Sequence, residues 1–117
     1  METPKLADLV DEWLDYAETA EALGRSVSQV RTLLREHQLA AASPTGDRAL
    51  RVPALFIADG EIVKGLPGLL TLLADHGFDD AEAIAWIFTD DDLPGRPIDA
   101  LRENRGTEAR RRAQLLA

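Results

Sequence analysis

Ser28, Gln29, Arg31, Thr32 and Arg35 fall together in the stretch Val27–Glu36. On a helix these positions share the outward side, while Val30, Leu33 and Leu34 turn inward. Hydroxyl, amide and guanidinium groups on one short helix are matched to base edges and phosphate oxygens. Arg31 and Arg35 are spaced to share one face and could reach guanine edges or phosphates. Gln29 could read adenine. Arg25, just before the stretch, joins the candidate contact set, and so do Arg48 and Arg51 beyond it. The chemistry these residues offer is recognition of duplex DNA, not catalysis.

Such a helix must be positioned by its neighbours. Thr19–Glu36 reads as two short helices joined by a tight turn at Gly24, because glycine reaches positive φ without steric cost. Ala20 and Leu23 extend the apolar side. Ser26 followed by Gln29 is an S-x-x-Q capping box, which starts the second of the two helices. Upstream, Leu6, Leu9, Val10, Trp13 and Leu14 follow helical spacing, so a first helix is predicted over Lys5–Asp15, and Tyr16–Leu23 is the second. Downstream, Leu39–Ala42 and Ala49–Val52 flank the Pro- and Gly-containing segment Ser43–Arg48, which predicts a hairpin. A hairpin directly after a recognition helix is a wing, here Ala41–Val52. Arg48 and Arg51 on it would reach neighbouring phosphates or the minor groove. Pro53 ends its second strand. Ala54–Ile57 is a short turn or helix, and Asp59-Gly60 predicts a turn into a short strand over Glu61–Val63.

The remainder reads as helical. Leu66–Asp75 ends at His76-Gly77. Asp79–Phe88 opens on acids that suit the helix dipole, with Ala81, Ile84, Ala85, Ile87 and Phe88 directed to a core and Trp86 at its edge. Thr89–Gly95 is an acidic loop. Pro97–Glu103 and Thr107–Leu116 are two more helices, with Ala109, Ala113, Leu115 and Leu116 packing inward and Arg110–Arg112 on a charged face. The expected fold is therefore mainly α with a small β-hairpin wing. A winged helix-turn-helix would occupy residues 1–65, and a small helical C-terminal domain residues 66–117.

Charge bears on partners. The net charge of −8 opposes nucleic-acid binding. It is unevenly distributed: residues 25–51 carry five arginines against Glu36 and Asp47, and residues 96–117 carry six against Asp99, Glu103 and Glu108. The acid is concentrated in residues 1–24 and 52–95. Affinity for DNA should therefore be modest and salt-sensitive. Cysteine is absent, which removes disulfides, thiolate metal sites and a cysteine nucleophile. The acidic N-terminus has no apolar signal-peptide region, and no apolar run reaches the ~20 residues that span a bilayer. A cytoplasmic protein is expected, without membrane association.

Catalytic motifs are missing. Lys5 and Lys64 are the only lysines and neither sits in a P-loop. Asp90-Asp91-Asp92 lacks the spacing and closing glutamate of a calcium loop. His37 and His76 have no companions at metal-ligand spacing. No enzyme activity, metal or cofactor is expected. The helix pair is equally the pattern of a packed three-helix core, and the wing arginines equally that of a solvated edge strand. A basic helix and a basic hairpin in succession favour DNA.

The segments WLDYAETAEALGRSVSQVRTLLREHQL, VPALFIADGEIVKGLPG and LPGRPIDALRENRGTEARRRAQ resemble an actinobacterial family of winged helix-turn-helix DNA-binding proteins. Its mycobacterial member is associated with a membrane serine/threonine kinase. The helix-turn-helix part also looks like MerR-type and excisionase-type domains. The resemblance implies a recognition helix at Val27–Glu36 contacting DNA through Ser28, Gln29, Arg31, Thr32 and Arg35, and a wing bearing Arg48 and Arg51. It also implies a serine/threonine kinase as a partner, for which Thr3 is the only hydroxyl residue ahead of the first helix. AIAWIFTDDDLPGRPIDALRENRG is further similar to the toxin-binding domain of Xre/MbcA/ParS-type antitoxins, with Trp86, Pro97 and Leu101 in its motif positions. The sequence thus predicts a transcriptional regulator that binds double-stranded DNA, with a homodimer or a protein partner engaged through the C-terminal helices. The alternatives are a protein-interaction module with little DNA binding and an architectural factor of the excisionase kind.

Overall fold

The computed structural model describes residues 6–46, 48–89 and 95–116. Thr3, Lys5, Asp47 and the triple aspartate 90–92 lie outside the described residues. The elements run in the order α1 Leu6–Leu9, β1 Trp13–Leu14, α2 Tyr16–Leu23, α3 Val27–Arg35, β2 Val52–Pro53, a 3-10 turn Ala54–Phe56, β3 Ile57–Ala58, β4 Glu61–Ile62, α4 Leu66–Asp75, α5 Asp80–Phe88, α6 Pro97–Arg102 and α7 Gly106–Gln114.

Local chemistry sets most helix boundaries. Asp15 caps α2: its Oδ1 accepts the Glu18 N–H at 2.7 Å while Glu18 Oε1 accepts the Asp15 N–H at 2.9 Å. Gly24 closes α2 at φ 66, and the Arg25 N–H reaches back to the Ala20 carbonyl at 2.9 Å. The same reciprocal box starts α3 through Ser26 and Gln29 and starts α5 through Asp79 and Glu82. Each box satisfies two donors that a helix start otherwise leaves orphaned.

The N-terminal segment departs from its helical spacing. The helix predicted over Lys5–Asp15 stops at Leu9, and Trp13–Leu14 is extended, antiparallel to Val52–Pro53 in the register Trp13 to Pro53 and Leu14 to Val52. Asp15 must take an extended conformation to cap α2, and that ends any helix running into it. The strand pairing then engages the backbone just ahead of the cap, with the Ala54 N–H donating to the Glu12 carbonyl at 3.0 Å.

The wing is also leaner than the sequence pattern suggests. Among the described residues its arms meet at one bridge between Ala42 and Arg51, with N–H to carbonyl bonds of 3.0 and 2.9 Å. Leu39, Ala40, Ala41 and Ala42 are all buried, so this arm belongs to the core instead of alternating as a half-exposed strand does. The return arm passes Val52–Pro53 to β1. A two-stranded hairpin forms instead from β3 and β4, turning at Asp59 and Gly60, both at positive φ (54 and 78). That is the backbone a two-residue primed turn requires.

The second half follows the expected helices with shifts at their faces. In α5 the buried face is Ala83, Ile84, Ile87 and Phe88, whereas Ala81 is exposed and Ala85 half-buried. In α7 Arg112 is buried alongside Ala109 and Ala113, and Leu115 is 79% exposed because the helix ends at Gln114. The Arg112 guanidinium reaches the Glu108 carboxylate at 3.0 Å and the Gly95 carbonyl at 3.3 Å, so Arg110–Arg112 is not one solvated face. Most buried apolar residues form one cluster from Val10 to Ala113 that includes both halves of the chain; Ala20 of α2 and Val30 of α3 are buried outside it. Phe56 and Phe88 meet inside it with ring centroids 5.6 Å apart. Among the described residues no helix is long and apolar enough to cross a membrane.

Candidate nucleic-acid interface

Val30 is fully buried and α3 packs against α2, so the opposite side of that helix must face solvent. Ser28, Gln29, Arg31 and Arg35 are exposed, and Thr32 is half-buried. The Thr32 hydroxyl donates to the Ser28 carbonyl at 3.2 Å and accepts from Arg35 Nη2 at 3.1 Å. This contact steadies the Arg35 guanidinium at the end of the helix while leaving its other donors outward. Gln29 is constrained differently: its Oε1 accepts the Ser26 N–H at 2.8 Å in the capping box. A bidentate adenine contact uses both the amide oxygen and the amide nitrogen, so Gln29 must leave its cap to make one.

Arg25 is exposed at the turn into α3, and Arg48 and Arg51 are exposed on the wing. Arg51 is fixed at its backbone by the bridge to Ala42. The described ion pairs all lie in the C-terminal helices: Arg96 with Asp99, Arg105 with Glu103 and Glu108, and Arg112 with Glu108. Arg102 donates to the carbonyls of Leu55 and Ile57 at 2.8 and 3.1 Å. Among the described residues, therefore, no carboxylate pairs with Arg25, Arg31, Arg35, Arg48 or Arg51. The two basic stretches of the sequence are physically unlike. The first presents its cations to solvent, and the second uses most of its arginines internally.

Tyr16 was not apparent from sequence as part of this surface. It lines a shallow concavity of about 490 Å³ with Ser28, Arg31, Leu34 and Arg35. Burial pushes its phenol above the ordinary range, the Arg31 guanidinium opposes that shift and the Asp80 carboxylate adds to it. The hydroxyl therefore stays protonated as a donor beside two arginines. The available signal was position: the chain's single tyrosine opens the first helix of the helix-turn-helix.

The motif positions shared with antitoxins have a different fate. Pro97 and Leu101 are buried, and Trp86 is half-buried against the same core. These side chains pack inside the chain, which leaves little of the motif for a partner. Among the described residues no group of three or more His, Asp or Glu could hold a metal ion.

A capped helix pair, an outward basic face on the second helix and a short basic wing together define a winged helix-turn-helix protein with a helical C-terminal unit. A family model described as the winged helix-turn-helix domain of the DNA-binding protein Rv2175c matches residues 3–57. A second, described as the Rv2175c C-terminal domain of unknown function, matches residues 63–117. The DNA-binding protein Rv2175c of Mycobacterium tuberculosis (strain ATCC 25618 / H37Rv) is 38% identical over 117 positions, covering 88% of this chain and 79% of the relative. The NMR structure of Rv2175c superposes with a TM-score of 0.81 at 38% identity, covering 91% of this chain and 81% of that one. The chain belongs to the Rv2175c family.

Proposed function

We propose that this protein binds double-stranded DNA in the cytoplasm and regulates transcription. In this reading α3 enters the major groove and residues 41–52 lie along the sugar-phosphate backbone. The observation that carries it is the set of exposed arginines on α3 and the wing that form no ion pair among the described residues, in a chain of net charge −8. Arg31 and Arg35 reach guanine edges or phosphates, and Ser28 and Thr32 add hydroxyl contacts. Arg25, Arg48 and Arg51 bind phosphates and set the register. Gln29 contributes its amide N–H groups while its oxygen holds the cap. Residues 1–65 serve as the reader and residues 66–117 as its support. A homodimer would place two recognition helices on successive half-sites.

The test is a fluorescence-anisotropy titration of random-sequence and upstream-region duplexes at low and physiological salt. Saturable binding that weakens with salt, and tighter binding to one upstream duplex, is the expected result. Phosphate contacts give a slope of about −0.9 per phosphate neutralised. No binding even at low salt sinks the reading and turns attention to a protein partner of the C-terminal helices.

The reading extends to control by a serine/threonine kinase at Thr3. A phosphate there adds about −1.5 to −2 charge to an already acidic segment and repels the duplex. The Thr3→Glu variant is expected to bind DNA more weakly than wild type at low salt. Equal affinities in the same titration would remove Thr3 from the scheme.

A further inference from the structure

A side chain of the C-terminal unit hydrogen-bonds the backbone of the wing. Helix α5 begins with two adjacent acids that have different duties. Asp79 is the cap: its Oδ1 accepts the Glu82 N–H at 2.8 Å, and Glu82 Oε1 accepts the Asp79 N–H at 3.1 Å. Asp80 has no part in that box. Its Oδ2 accepts the N–H of Ala41 at 3.2 Å, across a sequence separation of 39 residues. Ala41 is buried, and a buried backbone N–H left without an acceptor is costly. The next residue, Ala42, forms the bridge to Arg51 that joins the two arms of the wing. A continuous path thus runs from the start of α5 through Asp80 and Ala41 to the rung that carries Arg51.

Two further observations agree. Helix α1 packs against α5, so the winged unit meets this helix beside the hydrogen bond as well as at it. Tyr16, which shares its concavity with Arg31 and Arg35, is influenced by the charges of both Arg31 and Asp80. Asp80 therefore lies near enough to Tyr16 to act on its phenol.

We infer that Asp80 is a positioning residue for the DNA reader: through the Ala41 amide it holds the base of the wing and thereby places Arg51 and Arg48 against the duplex. The inference rests on the DNA-binding reading for its effect on affinity but not for its effect on the wing. A family region described only as a C-terminal domain of unknown function thereby acquires a role in shaping the recognition surface.

The test uses the full chain labelled with nitrogen-15, in wild-type, Asp80→Ala and Asp80→Asn forms. Both variants remove the charge and its effect on the helix dipole, but asparagine keeps an acceptor for the Ala41 N–H. The difference between them isolates the hydrogen bond. Amide exchange at Ala41, Ala42 and Arg51 should accelerate in Asp80→Ala and stay near wild type in Asp80→Asn. Affinity for a random-sequence duplex should be roughly threefold to tenfold weaker in Asp80→Ala than in Asp80→Asn, the size of one missing hydrogen bond. Adding Asp80→Ala to an Arg48→Ala/Arg51→Ala protein should weaken binding no further, since the wing arginines it places are already gone. Unchanged exchange at Arg51 in Asp80→Ala overturns the inference, and that result is readable even if the wild type binds no DNA. Equal affinity of the two Asp80 variants, or an undiminished effect on the Arg48→Ala/Arg51→Ala background, also overturns it. Failure of wild-type DNA binding with accelerated exchange in Asp80→Ala refutes the DNA reading alone.

Discussion

Replacing Arg31 and Arg35 together with alanine is expected to weaken duplex binding by about a hundredfold or more at physiological salt. A good bidentate pairing with a base contributes roughly 1–3 kcal/mol of discrimination, and two such deficits multiply in affinity. Both side chains are exposed on α3, and neither is in an ion pair among the described residues. Their removal should therefore leave the fold intact. Val30, which anchors the helix, and the Ser26–Gln29 box, which starts it, are untouched. The slope of log affinity against log salt should also become shallower, by about 0.9 for each phosphate that is no longer neutralised. The two readouts separate roles. A deficit confined to one preferred duplex marks base reading, whereas a uniform deficit with a shallower slope marks phosphate binding. An unchanged titration would mean that α3 is not the reading helix.

The second large effect concerns the fold. Phe56→Ala is expected to destabilise the protein by about 3–5 kcal/mol, the usual cost of emptying a buried phenylalanine site. Phe56 is fully buried, leaves the wing region on the 3-10 turn and meets Phe88 of α5 at 5.6 Å. Because the buried cluster is continuous from Val10 to Ala113, both halves should melt together in one transition shifted to lower temperature. A residue-resolved probe such as Trp13 and Trp86 fluorescence in single-tryptophan variants would report the two halves separately. Retention of a folded C-terminal half after the N-terminal half has melted would show two independently stable cores. Conversely, coincident curves mean that residues 1–65 and 66–117 divide the work of the protein without dividing its folding.

The two basic regions of the chain serve opposite ends. The arginines of α3 form no ion pair among the described residues, so their charge is available to a polyanion. Four arginines of the C-terminal region, Arg96, Arg102, Arg105 and Arg112, are tied down: Arg96 pairs with Asp99 through two bonds of 3.0 Å, and this pairing is the main cause that holds the Asp99 carboxyl below its ordinary range. Equal positive balance in two segments of sequence has therefore become an exposed basic surface in one and largely internal bracing in the other.

What the sequence alone determined is local. The three boxes Asp15–Glu18, Ser26–Gln29 and Asp79–Glu82 each span one helical turn, so the starts of α2, α3 and α5 depend on residues three positions apart. Gly24 and the Asp59-Gly60 turn are equally local, and the outward polar face of α3 follows from helical period. The family resemblance was legible for the same reason, because it rests on contiguous runs. Tertiary structure decided what depends on distant partners. Leu6 to Leu14 carries spacing compatible with a helix, and only the pairing of Trp13–Leu14 with Val52–Pro53 made its second part a strand. The buried run Leu39–Ala42 has the look of a wing strand, but the core claims it. Arg112 and Arg111 are indistinguishable as letters, yet one is buried against Glu108 and the other is exposed. Asp80 reads as a helix-dipole acid beside its neighbour, and only folding brings the Ala41 amide to it. The physical reason is common to all four. Caps and turns are satisfied by groups a few bonds away, whereas strand pairing, burial and long-range hydrogen bonds are settled by whichever partner the whole chain delivers.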